Sequence, residues 1–151
     1  MLVFRLASTK YSRDLSGTGS SLFGGRWNKK GSPVLYTGES REIALLEALV
    51  NIPPMVLPEM DMITLQIPSN SIIELKFSDL PPNWRDYPAP SVLAEITEEW
   101  IVSKDSLALK VPSAIIDTSH NYIINCAHKL HSKLKIKEVK AFKFDTRLRR
   151  G

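Results

Sequence analysis

Between Met60 and Ile67 apolar and polar residues alternate, with Ile63, Leu65 and Ile67 on one side, which predicts a half-buried strand. From about Ser91 the period changes: Leu93, Ile96, Trp100 and Ile101 line one stripe of a helix. An earlier helix is predicted for "REIALLEALVN", N-capped by Ser40 and stopped before Pro53 and Pro54. Short strands are read at Leu2 to Ala7 and at Pro33 to Gly38, flanking a glycine-rich region. "SLALKV" and "SAII", split by Pro112, read as further strands, and "EVKAFKFD" closes the chain as another. "LPPNWRDYPAP" is a proline-rich loop. Strands interrupted by isolated helices, with no repeat and no long linker, predict an α+β fold rather than a doubly wound parallel sheet.

At 151 residues, 43% of them hydrophobic, the chain suits one compact domain with a real core. No apolar run reaches membrane-spanning length, and "MLVFRLASTKYSRD" lacks the order of a secretory signal, so a cytosolic chain is expected. The lone Cys126 cannot form an internal disulfide. The net charge of +4 is uneven: residues 1 to 128 hold 11 Lys+Arg against 14 Asp+Glu, whereas 129 to 150 hold 9 against 2. The basic C-terminal segment, 129–151, reads either as a solvated face or as a contact for nucleic acid or an acidic protein surface.

"GTGSSLFGGRWNKKGSPVLYTGES" holds six of the seven glycines. It is not a Walker loop, because "SSLF" between Gly19 and Gly24 is followed by Gly25 and Arg26 instead of lysine and a hydroxyl. Nor is it a dinucleotide fingerprint, since Leu22 stands where the third glycine belongs. What remains is a long segment rich in backbone N–H groups, with Arg26 suited to bidentate phosphate contact. Leu22, Phe23 and Trp27 argue that it is ordered. Glu47 falls on the margin of the first helix's apolar stripe, at i+4 from Ile43. Helix geometry leaves open whether it swings to water, pairs with an arginine or faces a pocket. Cys126, His128 and His131 lie close together, preceded by His120, but their spacing matches no zinc pattern, so no metal is expected. No activating partner marks Cys126 as a nucleophile.

"FRL", "GSSLFGGRWNKKGSPVLYTGES", "IALLEAL", "VPSAII", "HNYIIN" and "FKFDTRL" occur in an order and spacing that resemble the RES domain, the toxin half of a bacterial toxin–antitoxin pair. The resemblance spans about residues 3 to 148. It departs at Asn51, where members often carry His, and at Cys126, where they often carry Pro. It implies a single domain similar to the ADP-ribosyltransferases of the diphtheria-toxin kind, with mixed sheets and a few helices. It further implies an activity that destroys NAD+ as substrate, with no prosthetic group, and neutralisation by an Xre-type antitoxin through which any DNA contact would be indirect. The family's functional residues carry over onto Arg26, Tyr36, Glu47 and Ser113. Arg5 matches an early arginine, and Asn121 and Asn125 match a polar stretch.

The chemistry suits these types. Nicotinamide in NAD+ is already a cationic leaving group, so one carboxylate that stabilises an oxocarbenium-like ribose can suffice, and Glu47 is the candidate. Arg26 would grip the pyrophosphate, Tyr36 stack on nicotinamide and Ser113 offer a hydroxyl to ribose or amide. Taken singly, Tyr36 reads as a core aromatic, Ser113 as a turn residue and Arg26 as a surface ion-pair partner; the ordered set is what favours the site. Three alternatives stand beside NAD+ cleavage by glycohydrolysis or phosphorolysis. One is ADP-ribosyl transfer to a macromolecule. Another is a nucleic-acid module using the basic C-terminus with Arg26, Trp27, Lys29 and Lys30, and the third is a regulatory subunit that binds a dinucleotide without consuming it.

Overall fold

The computed structural model describes residues 1–53, 56 and 58–148. Pro54, at the expected stop of the first long helix, and Arg149, Arg150 and Gly151, at the end of the basic segment, lie outside the described residues. The elements run β1 (Leu2–Ser8), α1 (Thr18–Phe23), β2 (Val34–Gly38), α2 (Arg41–Leu49), β3 (Met60–Gln66), β4 (Ile72–Glu74), α3 (Ser91–Ser103), β5 (Ala108–Pro112), β6 (His120–Asn125) and β7 (Lys135–Phe142). The seven strands form one sheet in the order β4-β5-β6-β2-β1-β3-β7. Only β4 and β5 pair in parallel, so the sheet is mixed and the fold is α+β.

Consecutive residues of the central strands enter different cores, as the pleat requires. Leu35, Ala108 and Ile124 join Val3, Ile63, Leu65 and Tyr122 on one face. Val34, Leu109 and Ile123 join Trp27, Trp84, Leu93, Trp100 and Ile101 on the other. The strands are therefore buried on both sides. β3 shows it best: Asp61 to Leu65 are all buried, which corrects the half-buried reading. β1 and β7 flank it, its odd residues face the first core, and Arg41 of α2 reaches Thr64 on the opposite side.

Other elements depart from the pattern in identifiable ways. β4 is three residues long, too short to show a period, and it forms by pairing with β5. "SAII" is a turn, because β5 ends at Pro112 and Ser113 accepts from the main-chain N–H groups of Ile115 and Ile116. "HNYIIN" is the β6 strand, flanked by β5 and β2. The closing strand starts earlier than its apolar residues suggested, at Lys135, because main-chain pairing with Leu65 and Gln66 of β3 carries it through Ile136 and Lys135. Lys135, Lys137 and Lys140 all point to solvent, a common guard against edge-to-edge association.

Ser40 caps α2 as expected, its hydroxyl accepting from Ile43 N–H at 3.2 Å. The turn into α2 needs Gly38: a Cβ there would sit 3.0 Å from the Ala44 nitrogen. β1 and β2 pair at a single position, Phe4 with Gly38, and α2 packs against both strands.

Asn125 is fully buried at the end of β6, where its Nδ2 donates to Ile101 O at 3.1 Å and its Oδ1 accepts from Ala127 N–H at 2.9 Å. Its amide fastens α3 to the sheet. Asn125→Ala strands a carbonyl and an N–H in the interior and is expected to lower stability by about 2 kcal/mol in urea denaturation; an unchanged midpoint would show that water or relaxation replaces both bonds.

Candidate active site

The glycine-rich region is built by local hydrogen bonds. Gly17 leads into α1, a six-residue helix where a loop was expected. Ser20 Oγ donates to Val34 O at 2.6 Å, tying α1 to β2. Asn28 is buried, and its Nδ2 donates to Ser20 O at 2.9 Å and Ser32 O at 3.1 Å. Its Oδ1 accepts from the Tyr36 hydroxyl, which in turn accepts from Trp27 N–H at 3.1 Å. Gly25 makes room for this knot, because a Cβ there would meet Tyr36 Oη at 2.6 Å. The result is an ordered arch over β2, with Trp27 buried beneath it in the second core.

Arg26 projects from the arch. Its Nη1 donates to Trp84 O at 2.7 Å and its Nη2 to Asp86 O at 3.1 Å. Two neutral carbonyls from the proline-rich loop thus fix the plane of the guanidinium without a direct carboxylate ion pair among the described residues. Burial lowers the Arg26 pKa, and the negative charge of Glu47 works in the opposite direction. The Tyr36 hydroxyl is buried while about a third of the residue remains exposed. Burial pushes its pKa up to about 12, so it stays a neutral phenol at physiological pH.

Glu47 lies on α2, half-buried. Its Oε1 accepts from Ser113 Oγ at 2.8 Å and from Asn121 Nδ2 at 2.7 Å. Both of these bonds fall on one oxygen, and both donors are neutral, so the carboxylate is oriented without losing its charge. Asn121 pairs across the sheet with Gly38, two residues from Tyr36 on the same face. Tyr36, Asn121 and Glu47 therefore share the face that carries the second core, and the charge of Glu47 is felt at Arg26.

Two of the expected residues stand apart. Arg5 lies opposite Ile63 on β1, facing the first core, and its Nη1 donates to Asp14 O at 3.1 Å. Strand alternation sends it to the face away from Glu47. Asn125 shares the site's face but is committed to α3, as described above. Ser113 is fully buried, and its proton goes to Glu47, so its observed role is to hold the carboxylate rather than to offer a free hydroxyl. Asn28 and the two carbonyls behind Arg26 were missed. Asn28 stood inside the quoted "GGRWN" run but signalled nothing alone, and main-chain carbonyls carry no mark in a sequence.

A groove of about 520 Å³ between α2 and β7, lined by Arg41, Leu45, Met62, Glu138, Lys140 and others, contains none of the site residues. His128 and His131 make main-chain contacts, the former accepting from Leu130 N–H and the latter 2.7 Å from Leu15 O.

Comparison with known proteins bears directly on this arrangement. The RES domain model matches residues 2–146. The chain belongs to the RES-domain family. "Toxin Res" of Yersinia enterocolitica is 36% identical over 152 residues, covering 99% of this chain and 100% of its own. "Prs ADP-ribosylating toxin" of a Sphingobium species is 31% identical over 146 residues, covering 94% and 91%. Among solved structures, one from the M. tuberculosis MbcT–MbcA toxin–antitoxin complex superposes with a TM-score of 0.74 over 94% of this chain and 84% of that one. At 15% identity that match speaks for the fold alone. This RES domain has no helix, among the described residues, long and apolar enough to cross a membrane.

Cys126 of the RES domain gives a chemical check on burial. Burial pushes its thiol up to about 12, so at pH 8 the thiolate is scarce. Alkylation of Cys126 by iodoacetamide, followed by intact mass, is expected to run roughly 10³-fold slower than for a free thiol of pKa about 8.5, accelerating as pH rises toward the thiol's own value. Fast labelling at pH 7 would contradict the raised pKa of this half-buried thiol.

Proposed function

We propose that this chain is a bacterial toxin that cleaves the nicotinamide–ribose bond of NAD+, arresting growth by depleting it, and that a partner antitoxin neutralises it. The observation that carries the reading is the Glu47 carboxylate, oriented by two neutral donors on the face that also presents Tyr36, within electrostatic reach of the Arg26 guanidinium, which main-chain carbonyls hold. RES-domain membership and an ADP-ribosylating relative support it.

In this reading Arg26 holds the pyrophosphate and Tyr36 presents its ring to nicotinamide as a neutral aromatic. When the glycosidic bond breaks, its electron pair leaves on the nicotinamide nitrogen, which becomes neutral, and positive charge develops on the ribose. Glu47 meets that charge. No general acid is needed, because the leaving group is already cationic. The acceptor then bonds to the anomeric carbon: water or a hydroxyl releases its proton to solvent as the bond forms, whereas phosphate attacks through an oxygen that is already anionic. Charge stabilisation of this type, preorganised before reaction, is the largest single contribution in many active sites. NAD+ is substrate here, and no prosthetic group has a part in the scheme. The antitoxin is proposed to be of Xre type, with DNA contact only through it, and the setting is the cytoplasm.

The nucleic-acid reading loses its stacking group, since Trp27 is 2% exposed within the second core and cannot meet a base. The described lysines of β7 are accounted for as edge-strand guards.

The test is nicotinamide release from NAD+ by purified protein, with Glu47→Gln beside it. The amide keeps size and loses charge, so NAD+ binding is expected to persist while kcat falls by about 10² to 10³. Wild-type turnover undiminished in Glu47→Gln would remove the carboxylate from the reaction. Product analysis with and without inorganic phosphate then separates ADP-ribose, its phosphate ester and modified protein.

A further inference from the structure

Arg85 lies in the proline-rich loop between the two residues whose carbonyls hold Arg26. It is exposed, and its hydrogen bonds run away from Arg26 to a different segment. Its Nε donates to Ala114 O at 3.2 Å, its Nη2 to Ile115 O at 3.2 Å and its Nη1 to Asp117 Oδ2 at 3.2 Å. Those acceptors belong to the turn that follows β5, the same turn whose Ile115 and Ile116 N–H groups bond Ser113 Oγ at 3.1 and 3.2 Å. Ser113 then bonds Glu47 at 2.8 Å. A path of hydrogen bonds, joined by the peptide links of Trp84, Arg85 and Asp86, thus leads from the guanidinium of Arg26 into the Ser113 turn and on to the carboxylate of Glu47.

We infer that Arg85 is a positioning residue that sets the separation between the cation and the carboxylate of the active site. The inference rests on the NAD+-cleaving reading above and deepens it. A dinucleotide gripped by its pyrophosphate presents its ribose at a distance fixed by covalent geometry. Catalysis then depends on Glu47 standing at that distance from Arg26, and an error of an ångström is costly. The glycine arch and α2 are both rooted on β2, the arch through Tyr36 and α2 directly after Gly38, and Arg85 adds a second tie between the groups that hold Arg26 and Glu47. Arg85 joins those two pieces with three contacts in a planar fork that a lysine cannot reproduce.

The stability cost of losing it is small. The Arg85–Asp117 pair has side chains 46% and 50% exposed, and exposed pairs contribute little. Position and stability can therefore be separated by experiment. Arg85→Ala is expected to shift Tm by less than about 4 °C. Its KM for NAD+ stays within roughly twofold, since Arg26 keeps its two carbonyls, while kcat falls about tenfold. Arg85→Lys, which retains charge beside Asp117 but not the fork, recovers only part of that loss. Because Arg85 acts through the turn, combining Arg85→Ala with Ser113→Ala is expected to cost no more than Ser113→Ala alone.

An unchanged kcat in Arg85→Ala overturns the inference, as do losses that multiply in the double variant. Unfolding of both the Ala and Lys variants overturns it too, since the role would then be structural. Wild type and Glu47→Gln run in the same assay distinguish the two levels. A wild-type protein without NAD+ turnover defeats the functional reading and this one together, whereas an active wild type with an unaffected Arg85→Ala defeats this one alone.

Discussion

The paired hydrogen bonds to Glu47 Oε1 are the contact on which the arrangement of the site depends. Ser113 and Asn121 lie 66 and 74 residues further along the chain, and they reach the carboxylate from the end of β5 and the start of β6. α2 alone gives Glu47 only a direction. The sheet supplies the rest, because pairing β6 with β2 places Asn121 against Gly38, and α2 begins within three residues of that glycine. Neutral donors matter as much as their positions. An arginine in place of either would orient the carboxylate and cancel the charge that the proposed ribose cation calls for.

The same economy governs Arg26. Main-chain carbonyls hold it, and these accept hydrogen bonds without carrying a full charge. Opposite charges are kept oriented, within electrostatic reach of each other, and unpaired. The surrounding order holds this arrangement in place: Asn28 satisfies Ser20 and Ser32, Tyr36 bonds Trp27, and the buried tryptophans fill the floor. Six glycines in one region therefore do not make a loose loop. At Gly25 the missing side chain lets a tyrosine hydroxyl approach the backbone, which makes the arch stiffer.

Much of this was legible in the sequence. The cap at Ser40 and the period of α2 and α3 are local signals, and the structure follows them; the alternation around Met60 marks a strand but not its burial on both sides. The set Arg26, Tyr36, Glu47, Ser113 and Asn121 comes from an ordered resemblance to a family, and the fold brings Tyr36, Glu47, Ser113 and Asn121 to one face. The misses have a common physical origin. β4 exists because β5 is there to pair with it; β3 is buried on both sides because it lies between β1 and β7, with the first core on one face and Arg41 of α2 reaching Thr64 on the other; Arg5 and Asn125 are assigned to their roles by strand alternation and by the position of α3. Each is decided by tertiary pairing, to which a residue type or a short period is blind. Arg85 is the clearest instance, an exposed arginine in a proline-rich loop whose partners lie in a turn that only the folded chain brings near.

One residue pair, Phe4 with Gly38, joins the two halves of the sheet at its middle. The first core continues across that seam, with Val3 and Ala7 of β1 packed in one cluster with Leu35 of β2. α2, rooted directly after β2 and laid across β1, spans the same seam on the other face, and it is also the element that carries Glu47. The carboxylate thus stands where main-chain pairing is thinnest and side-chain packing takes over the joining of the sheet.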